Sequence, residues 1–373
     1  MPVNTGLAQL SVDLLSVVIL IYTIAMFLYA LEYAFGRKGR IATSAAAAAA
    51  PVLVGAGGPE QAAAGAAAAR AGVVAAGSTA AGGLAGPAGA TSVGRPVPPQ
   101  RLPDDPAGPP PDGDRPSRMA FVGRAAVALT VVGLAVHVAV LVTRGMSVHR
   151  VPWGNMYEFA LAVSLVAVAG YLILLTRAPV RYLGGFVMVP VVLLLGLAGT
   201  VLYTKAAPLV PALNSYWIKI HVTAAVTASG VFLIGFVLSV LYLIRDRYER
   251  RVGAGHGVRF PITLGVRLPA AEALERVSFR TIAFAFPIWT FAIMAGAIWA
   301  EAAWGRYWGW DPKETWSFIA WVIYAAYLHA RATAGWRGRR ASYIAVLGWA
   351  AMMFNLFAVN TVIAGLHSYA GLN

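Results

Sequence analysis

The side chains in this sequence best suited to chemistry are tryptophans and histidines; cysteine is absent. Six of the eleven tryptophans lie between Trp299 and Trp321, and Trp304, Trp308, Trp310 and Trp316 are packed into thirteen residues together with Asp311. That density exceeds the belt of Trp and Tyr that membrane proteins carry at headgroup level, and it suits a flat apolar guest. Imidazoles are common metal ligands and are costly inside apolar spans, so each of the six histidines needs a reason to be there. His221, His329 and His367 stand out by their neighbours, in Ser215 to His221, Tyr327 to Arg331 and Gly365 to Tyr369. His137 and His149 read as structural, and His256 as solvated. Without Cys there is no thiolate ligand, so any thiol chemistry uses another molecule's sulfur. No phosphate-binding loop, dinucleotide fingerprint, paired zinc-protease histidines or nucleophile elbow competes.

The elements that must position these residues are membrane helices. A chain of 373 residues with 59% hydrophobic content, 12% charged residues and mean hydropathy +0.69 is too apolar for a water-soluble globule. The fold class expected is an all-α polytopic membrane protein of about eight transmembrane helices, over residues 11–31, 119–143, 156–176, 182–203, 216–244, 281–303, 316–334 and 341–363. Three parts follow: an N-terminal helix (1–36), a low-complexity Ala, Gly and Pro linker (37–118), and a seven-helix domain (119–373) carrying the external segment 304–316. Residues 270–280 suggest a short interfacial helix. Basic clusters at Arg245 to Arg251 and Arg337 to Arg340 put those loops and the linker in the cytoplasm, with both termini outside. Of the 29 Lys and Arg, Arg144, Arg150, Lys205, Lys219, Arg306 and Lys313 then fall outside. Topology thus accounts for the net charge of +14 better than nucleic acid does.

Helix starts place the histidines along the bilayer normal. Asp311, Pro312 and Glu314 form a capping-box start, Ser215 caps the helix of His221, and Asn155 with Glu158 caps the third span. His221 then lies roughly 9 Å past its cap, near the outer face, and His367 follows the outward-running last span. Eighteen residues past Asp311, His329 sits roughly 27 Å away, in the cytoplasmic leaflet.

The segment from Trp304 to Trp316 resembles the tryptophan-rich WWD signature of heme-handling membrane proteins. Its Asp-Pro-Lys-Glu-Thr-Trp ending is most similar to the system II cytochrome c biogenesis family (CcsA, also ResC or CcsB), and the three histidine contexts match in order. The resemblance covers roughly residues 119–373. It implies that the chain is the heme-handling subunit of a holocytochrome c synthase, at the plasma membrane, with heme b as cofactor. His221 and His367 would hold the iron outside, against Trp304, Trp308, Trp310, Asp311 and Trp316, and His329 would hold it at an inner site with a ligand from the partner. The implied partners are a ResB/CcsB-like membrane protein with a large external domain, apocytochrome c with its Cys-x-x-Cys-His motif, and a thiol-reducing thioredoxin-like protein, besides membrane lipid. A heme exporter or chaperone without synthase activity, and a non-catalytic scaffold or permease, are the alternatives. No residue stands out as a general acid or base.

Overall fold

The structure is a computed structural model that describes residues 3–36, 118–208, 215–363 and 365–367, all within one compact unit. The low-complexity segment from residue 37 lies outside the described residues up to 117, and Arg118 already belongs to the next helix. In chain order the helices are α1 (Thr5–Phe35), α2 (Arg118–Val148), α3 (Met156–Arg177), α4 (Gly184–Thr200), α5 (Tyr216–Gly253), α6 (Ala271–Trp304), α7 (Pro312–Ala332), α8 (Arg339–Leu356) and the single turn α9 (Ala358–Thr361). Two short 3-10 turns, Arg181–Leu183 and Ile262–Arg267, precede α4 and α6, and no strand occurs among the described residues.

This is an all-α polytopic membrane protein. Among the described residues seven helices are long and apolar enough to cross a bilayer: α1, α2, α3, α4 with its 3-10 turn, α5, α6, and α8 continued by α9. The eighth expected span, α7, has 21 residues but falls short in apolarity, because Lys313, Glu314, His329 and Arg331 stand near its ends and aromatic rings fill its middle. It still runs antiparallel between α6 and α8. The expected separate helix over residues 270–280 is corrected: those residues are the first turns of the 34-residue α6, which passes through Pro287 without a break. At 1.5 Å per residue α6 is roughly 51 Å long, well beyond the hydrocarbon thickness of roughly 30 Å, so its charged first turns, with Glu272, Glu275, Arg276 and Arg280, extend past the apolar layer.

The bundle is organised around α5, which packs against α3, α6 and α8, while α1 packs between α2 and α4. Small residues allow these approaches. A Cβ on Gly230 would lie 2.7 Å from Val166 of α3, so α3 and α5 meet at backbone distance. Across α5 and α6 the hydroxyls of Ser239 and Ser278 are 2.8 Å apart, and Phe232 stacks on Tyr324 of α7 at 3.9 Å between ring centres.

Because α5 to α8 alternate in direction, the start of α5, the end of α6, the start of α7 and the end of α8 gather at one end. The opposite end is charged. There Arg331 pairs with Glu275, Arg339 lies 3.7 Å from Asp246, and Glu249 bridges to Arg245 at 2.7 Å.

Candidate functional site

The gathered ends enclose a cleft whose non-atom space, open solvent included, is about 890 Å³. His221, Trp299, Trp304, Trp308, Lys313 and His367 are among its walls, with Trp289, Ala292 and Met352 on its floor. A second lobe of about 620 Å³ shares His221, Trp299, Lys313 and His367 with the first and is completed by Trp153, Met156 and Asn360. The two histidines expected to act together therefore line both lobes, although 146 positions separate them in sequence.

Local sequence accounts for each placement. Ser215 caps α5, its hydroxyl accepting from the Trp217 N–H at 3.3 Å, which sets His221 in the second turn. The His221 Nδ1–H donates to the Ala292 carbonyl at 2.7 Å, and its ring lies nearly parallel to Trp299, 8° apart with 6.1 Å between centres. Gly296 makes that seat possible: a Cβ there would come within 2.7 Å of two atoms of the imidazole. Trp299 also faces His367 at 5.7 Å, and Trp304 faces His367 at 5.0 Å, both edge to face.

Asp311 joins helix capping to histidine placement. It caps α7 by accepting from the Lys313 N–H, and Glu314 completes the capping box as expected, taking the N–H groups of Asp311 and Gly309 at 3.1 and 2.9 Å. The same Asp311 carboxylate accepts from the Leu366 N–H and from His367 Nδ1, each at 2.7 Å. Burial pushes the carboxyl's pKa up, but the hydrogen bonds from His367 and Leu366 and the charge of His367 outweigh it and hold the pKa below its usual value. Both imidazoles are thus held through Nδ1, His221 by a backbone carbonyl and His367 by a carboxylate, the kind of outer contact that orients metal-binding histidines.

The remaining expected site residues are placed differently. Trp310 adopts a left-handed backbone, φ 58°, which turns the chain into the Asp311 cap and leaves its indole 65% exposed. With Trp308, Phe318 and Trp321 it forms an aromatic ladder down α7, ring centres 5.6 to 6.4 Å apart. Trp316 packs on Phe354 of α8 at 4.1 Å. Neither Trp310 nor Trp316 is among the residues lining the two lobes. His329 is exposed in the last turn of α7, at the charged end, eighteen residues from Asp311. His137 is fully buried, its Nδ1 3.4 Å from the Tyr22 hydroxyl, and His256 is exposed.

Three contributors were not foreseen as site residues: Trp299, Gly296 and Lys313. Asn155 caps α3 as expected, accepting from the Glu158 N–H at 2.9 Å, but Glu158 does more. Fully buried, it accepts from Arg144 at 2.9 Å, Arg150 at 2.7 Å and the Gly154 N–H at 2.8 Å, while Arg144 reaches the Thr204 carbonyl at 2.6 Å. This cluster fixes the turn that carries Trp153 and Met156 into the second lobe.

A family model described as cytochrome C assembly protein matches residues 153–367, more than half of the chain and the whole of the cavity. The chain belongs to the CcsA family of cytochrome c assembly proteins. It is 38% identical over 248 residues to the cytochrome c biogenesis protein CcsA of Guillardia theta, covering 63% of this chain and 81% of that one. The CcsA of Parasynechococcus marenigrum (strain WH8102) is 42% identical over 180 residues, 44% of this chain and 59% of its own. That of Mesostigma viride is 34% identical over 238 residues, 59% and 78% respectively. The present chain is accordingly a cytochrome c biogenesis protein, and the matched region of the family includes both histidines of the cavity.

Proposed function

We propose that this CcsA-family chain is the heme-handling subunit of a system II cytochrome c synthase, carrying heme b across the plasma membrane and presenting it for thioether attachment to apocytochrome c. The observation that supports this best is the shared cavity in which His221 and His367, each held through Nδ1, face a wall of Trp299 and Trp304. Neutral imidazoles suit axial ligation of heme iron, and indole faces suit a flat apolar ring.

In this reading heme is the cargo, and its iron and vinyl groups carry the reactivity. The chain's own residues do the positioning. His221 is fixed by α6 through Ala292 and Gly296, and His367 by the carboxylate of Asp311. The indoles exclude water from the ring faces, and the apocytochrome's Cys-x-x-Cys-His segment supplies two thiols and a histidine that takes the place of one axial ligand. His329, at the charged end of α7, serves an inner heme with a ligand from a ResB/CcsB-like partner that has a large external domain. A thioredoxin-like reductant keeps the apocytochrome thiols reduced. The cavity end, the WWD segment 304–316 and both termini face outward. Residues 1–36, 37–118 and 119–373 act as membrane helix, cytoplasmic linker and heme-handling domain.

The test is an optical spectrum of the full-length chain purified with its partner, alongside cytochrome c maturation in cells. The spectrum is expected to be that of bis-histidine heme. His221→Ala or His367→Ala should each alter it and abolish maturation, with external imidazole restoring the missing ligand, whereas His149→Ala should change neither. Spectra identical in all four proteins would refute ligation. Bound heme without covalent cytochrome, even with partner and reductant present, would mark the chain as an exporter or chaperone instead.

A further inference from the structure

The cavity contains a lysine that forms no direct ion pair among the described residues. Lys313 is the second residue of α7, and it lines both lobes together with the two histidines. Its ammonium has three N–H groups, and the contact the protein offers them is the Asn355 carbonyl at 3.2 Å. Among the described residues no carboxylate pairs with it. Asp311 is committed to His367, Leu366 and the cap, and the Glu314 oxygen that is engaged faces the Gly309 and Asp311 N–H groups.

The position is unfavourable for a lysine on two further counts. A helix start already presents positively polarised N–H groups, which favour anions. Withdrawing an ammonium from water into an aromatic cleft costs free energy that one carbonyl contact and a carboxylate outside ion-pair distance repay only in part. A Gln or Met would cap the same space without that penalty. A charge retained under these conditions is suited to an anion that arrives with the ligand.

Given heme as the cargo, we propose that the Lys313 ammonium takes a propionate carboxylate of the porphyrin, so that this residue selects the free-acid macrocycle and fixes its rotation in the plane between His221 and His367. The inference rests on the heme reading and adds to it. The two imidazoles constrain the iron along one axis but leave the ring free to turn about that axis. A single ion pair at the ring edge removes that freedom, and it therefore decides which edge carries the vinyl groups toward the incoming thiols. A charge-assisted hydrogen bond out of bulk water is strong enough to act as such a stop.

The experiment compares two probes, iron protoporphyrin IX and its dimethyl ester, titrated into the full-length chain in one detergent and followed by the Soret band. The ratio of the two affinities is measured for the wild type, Lys313→Gln and Lys313→Arg, so that unequal partitioning of the probes into micelles cancels. Wild type and Lys313→Arg are expected to favour the diacid over the diester by about tenfold more than Lys313→Gln does. The Soret position should be the same in all three, because the axial ligands are untouched. A Lys313→Gln protein that keeps the full wild-type preference overturns the proposal. If neither probe gives a Soret shift that depends on His221, the heme reading itself fails and this inference falls with it. Binding without discrimination removes only the role of Lys313.

Discussion

Replacing Gly296 by alanine should unseat His221 while leaving the bundle as stable as before, or more so. The new Cβ would lie 2.7 Å from both Cε1 and Nδ1 of the imidazole. Ordinary contact between such atoms begins near 3.4 Å, so the ring must retreat by about 0.7 Å or more. Its Nδ1 is 2.7 Å from the Ala292 carbonyl, one turn before Gly296 on the same helix, and a retreat of that size from α6 stretches the bond to about 3.4 Å, where it is weak or lost. The loss of a neutral hydrogen bond is worth about 0.5–1.5 kcal/mol. Against it, Ala in place of Gly within a helix gains roughly 0.8–1 kcal/mol, so the two nearly cancel in stability. Ligation has no such compensation. Nε2 moves with the ring, and a displacement approaching 1 Å at a reacting group can cost about 10²-fold. The assay is a hemin titration of the purified full-length chain followed at the Soret band, with thermal unfolding of the same samples in detergent. Weakened or altered ligation together with an unchanged or raised midpoint is the expected pair of results. A Gly296→Ala protein with wild-type affinity and spectrum would refute the claim that α6 seats His221.

Asp311→Asn retains a capping oxygen but no longer holds the proton of His367 Nδ1 with a charge; heme affinity should fall by about 10–100-fold, as for other outer-sphere partners of metal-bound histidines. Asp311→Ala should add about 1 kcal/mol of lost capping, read by thermal unfolding. Because the Asp311 carboxyl is held below its usual pKa of 3.8, its clasp on His367 contributes fully above that value and is lost as pH falls through the lower folded value. Tryptophan emission, reporting through Trp299 and Trp304, should therefore hold steady from about pH 8 to pH 5 as far as Asp311 is concerned and change only below about pH 4 in wild type; the same acid transition in Asp311→Asn would count against the assignment. His329→Ala, expressed with the partner, should lower total bound heme while the residual spectrum keeps its bis-histidine form, and unchanged occupancy with full maturation would remove the inner site. Single cysteines placed at Tyr307 and His256 in this cysteine-free chain should react and fail to react, respectively, with a membrane-impermeant thiol reagent in intact cells; the reverse pattern would invert the topology.

The parts of the structure that could be read from sequence are those set by local interactions. Asn155, Ser215 and Asp311 each announce a helix start through a side chain that bonds within three residues, and each cap is formed as expected. Once the starts are known, alternation of direction brings His221 and His367 to one end and sends His329 to the other. What sequence did not disclose is azimuth. Trp299 looked like one more member of an aromatic run, yet its position on the buried face of α6 makes it the wall between the two imidazoles. Trp310 and Trp316 belong to the same run and point elsewhere, one because of a left-handed residue, the other because α7 turns it toward Phe354. Gly296 and Lys313 carry no local signal of their role, since both act on groups contributed by other helices. Residues 270–280 read as a separate interfacial helix, whereas in the structure they open a continuous 34-residue helix that outruns the apolar layer.

The two cavity histidines are mounted on unequal supports. His221 belongs to a 38-residue helix at the centre of the bundle, so moving its ring means moving α5 or α6. His367 stands past the last turn of α9, on chain that Asp311 draws back to the start of α7. Segments of this kind open locally at a small fraction of the free energy needed to shift a packed helix. A cargo held between the two would be clamped on one face and latched on the other. On that reading the latched face would exchange its ligand for an incoming histidine and close again, while the clamped face would preserve the register of everything bound between them.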